Sequence, residues 1–160
     1  MQSLDMPSQL DAAELSAYIP HSGPMVLLDR VVRWDSNSIL CTTGSHRNPN
    51  NPLRVGGHLS STQTIEYTAQ AVSLHSALKT ITTLTPLEGI SELKGIETAY
   101  LAVIRDFELV EVNLEEFKDE LLEVSAHIYL TGPRMLQYNV MSRIGALVVS
   151  KGLISLVVQG

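Results

Sequence analysis

One long predicted helix constrains the fold of this chain most, because nearly everything around it is strand-like. The segment Ser60 to Lys79 opens with three residues that favour helix N-caps, Ser60, Ser61 and Thr62. Residues on one helical face are spaced four, three and four apart, and further small or apolar residues widen that face: Ile65, Ala69, Val72, Ser76, Ala71, Leu74 and Leu78. A helix with so wide an apolar surface is expected to be buried.

Short segments with strand character lie on both sides of this helix. A short helix over residues 11–18, with Asp11 as its cap and Glu14 three residues on, comes first. The predicted strands are 24–34 and 38–43 before the long helix, and 98–104, 109–112, 121–130, 136–143 and 147–157 after it. This order predicts a single α+β domain over residues 1–160, with an antiparallel sheet wrapped around one central helix.

Composition excludes several classes of partner and location. The 160 residues carry a net charge of −6, and no cluster of Lys and Arg offsets it, which argues against nucleic acid. No segment approaches the roughly 18 apolar residues of a membrane span. The first ten residues have neither a basic start nor an apolar run, so no signal peptide is expected. The sequence therefore predicts a cytoplasmic protein that does not contact a membrane.

Metal and cofactor signatures are missing from the sequence. The single cysteine, Cys41, excludes an internal disulfide and a zinc cluster built on cysteine, and its apolar neighbours favour a buried thiol. No histidine pair has the spacing of metal ligands with a third partner. A phosphate-binding glycine loop and a Gly-x-Ser-x-Gly elbow are both absent. We expect neither a metal nor a cofactor.

Glu66 is the first candidate for chemistry. It lies on the predicted helix beside apolar residues, and Gln70, four residues later, shares its face. A carboxyl group in such surroundings is costly to bury as an anion and is therefore a candidate general acid. The periodicity equally allows an exposed polar stripe of Gln63, Glu66, Gln70 and Ser73.

His58 is the second candidate. It follows Gly56 and Gly57, which let the backbone turn sharply or approach a ligand closely, and it lies just ahead of the helix. A neutral imidazole is a suitable general base near neutral pH. The residues alone favour the simpler interpretation, a loop histidine that faces solvent.

Two motifs resemble a known family. The segment from Ile19 to Val31 contains Pro20-His21-Ser22-Gly23-Pro24, an apolar run and then Asp29-Arg30-Val31. It resembles the opening of hot-dog dehydratases that act on 3-hydroxyacyl chains carried by acyl carrier protein. The segment from Ile65 to Ala71 is similar to the start of their central helix, Ile-Glu-x-Met-Ala-Gln-Ala. The stretch Arg105 to Leu109 resembles the branch associated with aryl polyene synthesis.

This resemblance implies a hot-dog fold and a homodimer, or a higher homo-oligomer, whose active sites lie between subunits. It implies His58 as the base that removes the proton alpha to the thioester carbonyl, and Glu66 of the other subunit as the acid. Backbone N–H groups near Ser61 and Thr62 would polarise the carbonyl. Substrate-binding positions implied by the resemblance are Gly57, Ser61, Thr62, Gln70 and His21.

The loop between the two candidates departs from the family pattern. Glu66 follows His58 by only eight residues, so the loop is several residues shorter than usual, and Leu59-Ser60-Ser61 replaces the usual proline-rich sequence. The motif around Glu66 supports its role directly, whereas none supports His58 in the same way. His21 is the alternative partner for Glu66.

Three functions remain open from the sequence. The first is dehydration of 3-hydroxyacyl thioesters on acyl carrier protein, or on coenzyme A, to trans-2-enoyl thioesters in fatty-acid or polyene-type synthesis. The second is a hot-dog thioesterase in which Glu66 activates water. The third is a non-catalytic acyl-binding or partner subunit, which the altered loop favours.

Overall fold

The long helix is present and lies at the centre of the fold. The computed structural model describes residues 9–84 and 99–158. A short helix, α1, spans Ala12–Leu15, and the long helix, α2, spans Thr64–Leu84. Asp11 and Glu14 form the predicted capping box at the start of α1. The helix α2 begins four residues later and ends five residues later than the sequence predicted, because Ser61–Gln63 form a 3₁₀ turn ahead of it.

The helix α2 is buried as its composition predicts. Among its described side chains, five apolar residues have no exposed surface: Tyr67, Ala71, Val72, Leu74 and Leu78. Its buried polar side chains find partners inside the protein. Thr64 bonds the carbonyl oxygen of Ser61 at 2.6 Å, and Thr68 bonds that of Ile65 at 2.9 Å. This pairing removes most of the cost of burying hydroxyl groups.

In the described residues, seven antiparallel strands form one sheet around this helix. They are β1 (Leu10–Asp11), β2 (Arg30–Trp34), β3 (Ser38–Thr43), β4 (Ala99–Leu109), β5 (Leu122–Thr131), β6 (Met135–Ile144) and β7 (Leu147–Val158). Their order across the sheet is β1-β2-β3-β5-β6-β7-β4. The helix α2 packs against β3, β5, β6 and β7, which places the core between helix and sheet.

Three predicted strands differ in the structure. Residues 24–34 form a strand only from Arg30, because Gly23–Met25 make a 3₁₀ turn and the backbone of Met25 and Leu27 bonds a helix side chain. The strand predicted at 98–104 continues to Leu109 as β4, and residues 110–112 of the strand predicted at 109–112 lie outside any strand. A bulge between Arg105 and Glu108, with Asp106 at a positive φ of 55°, absorbs the charged residues that broke the sequence pattern.

Within residues 9–84 and 99–158, no helix is both long enough and apolar enough to cross a membrane. The same residues contain no cluster of three His, Cys, Asp or Glu side chains arranged to hold a metal ion.

Two buried histidines belong to the core. His75 bonds the carbonyl oxygen of Asp35 through Nε2 at 2.8 Å and the hydroxyl of Tyr138 through Nδ1 at 2.9 Å. His46 bonds the carbonyl oxygen of Phe117 through Nε2 at 3.1 Å. Burial lowers the pKa of both histidines below their ordinary value of 6.5. Both are therefore held neutral in the folded protein.

We predict that the protein loses stability on mild acidification. Because the pKa of His46 and that of His75 are lower in the folded chain, the unfolded chain takes up protons first as the pH falls below about 6.5. The free energy of unfolding should fall by up to about 1.4 kcal/mol per pH unit for each histidine until its folded pKa is passed. Urea unfolding between pH 8 and pH 5 measures this slope.

Two variants assign the slope to particular residues. His75→Gln keeps a donor and an acceptor but cannot be protonated, so its stability should change less with pH. His127→Gln is the matched control, since His127 is exposed on β5 and its charge is the smallest of the influences on the pKa of His75, so its loss should change the slope much less than the loss of His75. Equal slopes for the wild type and His75→Gln would contradict the assignment to His75.

Candidate active site

Glu66 lies in the first turn of α2, on the side that faces the segment 21–27. Its side chain is 32% exposed, so it is neither fully buried nor part of a fully exposed stripe. A carboxylate in the first turn is also favourably placed in the field of the helix dipole. Glu66 is thus reachable from solvent while being held by the protein.

Gln70 holds Glu66 in place. Its amide nitrogen donates to Glu66 Oε1 at 3.1 Å and to the carbonyl oxygen of Met25 at 2.8 Å. Its amide oxygen accepts from the N–H of Leu27 at 3.0 Å. Both N–H bonds of the amide are therefore used within the chain. Gln70 was predicted to bind substrate, and in the structure its side chain instead ties α2 to residues 25–27 and aims Glu66.

His21 is the second group against Glu66. Its Nε2 lies 3.1 Å from Glu66 Oε1, at ion-pair distance, with 27% of the side chain exposed. Its Nδ1 is buried, and within residues 9–84 and 99–158 it has no hydrogen-bond partner. The structure therefore brings together three residues that the sequence singled out: Glu66, Gln70 and His21. Among the described residues we find no hydrogen-bond partner for Oε2 of Glu66, which leaves that oxygen for a ligand.

His58 lies in a different place. Val55 and His58 exchange both backbone hydrogen bonds, at 2.9 and 3.1 Å, around a two-residue turn. Gly56 and Gly57 have φ values of 59° and 81°, which only glycine adopts readily at both positions of such a turn. His58 is 66% exposed, and its Nδ1 lies 2.6 Å from Glu115 Oε1. Within the chain, the ring of His58 contacts Glu115 and not Glu66.

Arg54 fixes the loop that carries the His58 turn. Its guanidinium donates to the carbonyl oxygens of Asn48 at 2.9 Å, Gly57 at 2.9 Å and His46 at 3.2 Å. Three charge-assisted bonds to backbone oxygens leave little freedom in residues 46–58. The position of His58 is therefore set by the protein even though its side chain is exposed.

The backbone N–H groups of Ser61 and Thr62 are used inside the chain. The N–H of Ser61 donates to the carbonyl oxygen of Val112 at 3.0 Å, and that of Thr62 to Ser60 Oγ at 3.3 Å. The prediction that these groups polarise a carbonyl is not supported, because the 3₁₀ turn and its cap satisfy them. Gly57 differs, since we find no partner for its N–H among the described residues.

Glu115 was missed by the sequence reasoning. It lies in a 3₁₀ turn at Leu114–Glu116, far from both motifs, and nothing in its local sequence distinguishes it from Glu116. Only the pairing of residues 112–114 with residues 59–61 brings it to His58.

Comparison with known proteins identifies relatives in sequence and in structure. Residues 13–89 match the ApeP-like family, described as ApeP dehydratase, and this segment contains His21, His58, Glu66 and Gln70. The dehydratase heterocomplex ApeI:P from Xenorhabdus doucetiae matches with a TM-score of 0.72 and 21% identity, over 91% of each chain. These matches confirm the resemblance to hot-dog dehydratases and the hot-dog fold.

Other hot-dog structures are similar in fold alone. A hypothetical thioesterase with coenzyme A from Streptococcus pneumoniae TIGR4 matches with a TM-score of 0.56 and 12% identity, over 81% of this chain and 84% of that one. The PaaI protein from the phenylacetic acid degradation operon of E. coli matches with a TM-score of 0.56 and 9% identity, over 79% and 80%. No curated protein sequence matches the chain.

We predict that Gln70→Ala destabilises the protein. The change leaves the N–H of Leu27 and the carbonyl oxygen of Met25 without the partner that the amide supplies, and an unsatisfied buried group costs about 1–3 kcal/mol. The free energy of unfolding should fall by roughly 2–4 kcal/mol in urea titrations. Gln63→Ala, at a half-buried position in the preceding turn, is the control and should change it by less than about 0.5 kcal/mol. Equal effects of the two changes would contradict the role given to Gln70.

Proposed function

We propose that the protein removes water from 3-hydroxyacyl thioesters with Glu66 as the acid, a function supported by the match of residues 13–89 to the ApeP-like dehydratase family. The observation that carries the proposal is the position of Glu66, whose Oε1 is held by Gln70 and His21 and whose Oε2 is left for substrate. A carboxyl group fixed at a solvent-reachable helix start can give a proton to a leaving hydroxyl.

The reaction needs one base and one acid. The base removes the proton from the carbon alpha to the thioester carbonyl, and the electron pair of that C–H bond forms the new double bond. The bond between the beta carbon and its hydroxyl breaks as Glu66 protonates the oxygen, and water leaves. The base then returns its proton to Glu66 through water, so that both groups are restored. An N–H donor at the carbonyl oxygen stabilises the charge that develops there, and the free N–H of Gly57 is suited to this role.

His58 is a better base than His21 on chemical grounds. His21 faces Glu66 through Nε2, and its Nδ1 is buried without an acceptor in the part of the chain that the structure describes. Accepting a proton from substrate would require an N–H at that buried Nδ1, which costs free energy. His58 has its Nδ1 against a carboxylate and an exposed ring, so its Nε2 is able to receive a proton. We therefore assign His58 as the base and His21 as a positioning residue for Glu66.

This assignment requires two chains, because His58 and Glu66 are not in contact within one. The strand β4 lies at the edge of the sheet and exposes the apolar side chains of Val103 and Ile104, and its neighbour β7 exposes Val157. Pairing of two such edges would extend the sheet across both chains. It would also bring the His58 loop of each chain towards Glu66 of the other. We propose a homodimer, with a related hot-dog chain as the second possible partner because the similar ApeI:P structure is a heterocomplex.

The substrate is proposed to be a thioester of acyl carrier protein or of coenzyme A, made in fatty-acid or polyene-type synthesis. The thioesterase alternative has support from similar folds only, at 12% identity. Products distinguish the two: an enoyl thioester for the dehydratase and a free acid for the thioesterase. The cytoplasmic location expected from the sequence stays a prediction.

We predict that Glu66→Gln lowers the turnover of a 3-hydroxyacyl thioester by about 10²–10⁴-fold, the usual contribution of a positioned acid. The amide keeps the size of the side chain, so the fold should persist. Gln63→Glu on the neighbouring turn is a control for charge near the helix start. Chromatography of enoyl product over time gives the rates, and near-native turnover by Glu66→Gln would remove the acid role.

We predict that two inactive variants restore activity when they are mixed. In a homodimer formed from His58→Ala and Glu66→Gln chains, one of the two sites keeps both native groups. Random pairing of equal amounts makes about half of the dimers mixed, so about a quarter of the native activity should return. If the acid and the base of each site came from the same chain, mixing the two variants would restore no activity. Failure of recovery, with exchange of subunits shown by mass spectrometry, would reassign the base to His21.

A further inference from the structure

One carboxylate outside the matched segment holds the proposed base. Glu115 Oε1 lies 2.6 Å from Nδ1 of His58, and its Oε2 accepts from the backbone N–H of Leu59 at 2.9 Å. The side chain of Glu115 is only 16% exposed, whereas that of His58 is 66% exposed. The carboxylate therefore bonds both the ring of His58 and the adjacent backbone, and the side of the ring that faces away from Glu115 stays exposed.

The two residues are fixed to the core on both sides. Leu59 follows His58, Leu114 precedes Glu115, and both leucines have no exposed surface. The N–H of Leu114 donates to the carbonyl oxygen of Leu59 at 2.7 Å, and the N–H of Ser61 to that of Val112 at 3.0 Å. These bonds make a short antiparallel bridge between the His58 turn and the 112–115 segment. The distance between Glu115 and His58 is thus set by buried backbone.

The protonation of this pair follows from its donors. Although burial acts to raise the pKa of Glu115, the Leu59 N–H and His58 outweigh it and the pKa is lowered overall. An ionised carboxylate can only accept hydrogen bonds. Nδ1 of His58 must then carry the hydrogen, which leaves the lone pair on Nε2, the nitrogen that faces away from Glu115.

We propose that Glu115 is a positioning residue that fixes His58 in the tautomer with hydrogen on Nδ1, so that Nε2 is presented as the base. This inference rests on the proposed function, in which His58 removes the alpha proton. A carboxylate that holds an imidazole in its correct tautomer and orientation is a recurring device in acid–base catalysis. It also stabilises the imidazolium that forms when the proton is taken.

A purely structural role for Glu115 is the competing explanation. In that role the carboxylate would only join residues 58–59 to residues 112–115, and its loss would lower stability without changing the ring of His58. Thermal unfolding alone cannot separate the two roles, and the tautomer and the turnover number can.

The experiment compares Glu115→Gln, Glu115→Asp and the control Glu116→Gln. The amide of Glu115→Gln keeps an oxygen for the N–H of Leu59 but presents N–H groups to His58, which moves the ring hydrogen to Nε2. Glu115→Asp keeps the charge. Glu116→Gln removes a charge from the adjacent exposed residue. Long-range proton–nitrogen NMR of labelled protein reads the tautomer of His58 without substrate, and steady-state kinetics read the turnover number and KM.

We expect the Nδ1–H tautomer in the wild type, Glu115→Asp and Glu116→Gln, and the Nε2–H tautomer in Glu115→Gln. Turnover by Glu115→Gln should fall by about 10²-fold or more with KM changed by less than about threefold. The turnover number of Glu115→Asp should be at least about tenfold higher than that of Glu115→Gln.

Three results would overturn the inference, and they separate it from the proposed function. An Nε2–H tautomer in the wild type would show that Glu115 does not set the ring. Native turnover by Glu115→Gln, together with loss of turnover by Glu66→Gln, would remove Glu115 from the reaction and leave the dehydratase proposal standing with another base. Absence of turnover by the wild type on every 3-hydroxyacyl thioester tried would contradict both the role of Glu115 and the proposed dehydratase function.

Discussion

The amide of Gln70 is the interaction on which the candidate site depends. It is a buried group on α2 that bonds the backbone on both sides of Val26 and, with the same nitrogen, Glu66. Because those backbone groups would otherwise be unsatisfied, the segment carrying His21 has one favourable position against the helix. The same amide therefore fixes both the conformation of residues 21–27 and the orientation of the Glu66 carboxyl group. Because the backbone of Met25 and Leu27 bonds this amide, the segment does not form the predicted strand there.

The central helix can carry polar residues inside the core because each one has an assigned partner. Thr64 bonds Ser150 Oγ of β7 at 2.7 Å, and His75 bonds the hydroxyl of Tyr138 on β6 and the carbonyl oxygen of Asp35. Most of the surface of this helix is covered by the sheet and the loops around it. The cost of burying these groups is offset only when strands and helix are in register, so the polar network selects one packing among many that hydrophobic contact alone would allow.

The fold was predictable because its signals are local or periodic. The apolar helix, the capping box at Asp11 and the antiparallel strands follow from residue spacing. The site was predictable only in part. The helical spacing places Glu66 and Gln70 on one face, whereas the resemblance implies His58 as the partner of Glu66 and leaves His21 as the alternative. Glu115 could not be found, since it meets His58 across 57 positions of sequence through backbone pairing. The strand β4 was divided because a bulge at Asp106 has no simple sequence signal.

The short loop between His58 and Glu66 is compatible with a site that two chains form together. Loop length limits the distance between two residues of the same chain, and here those two residues are fixed by separate anchors, Glu115 for the imidazole and Gln70 for the carboxyl group. In the proposed two-chain site, the imidazole of one chain meets the carboxyl group of the other. The distance between the imidazole of one chain and the carboxyl group of the other then depends on how the two sheet edges pair. The spacing of eight residues within one chain does not affect this distance. Shortening the loop changes the path of the chain between the anchors and leaves each anchored group with its own orientation.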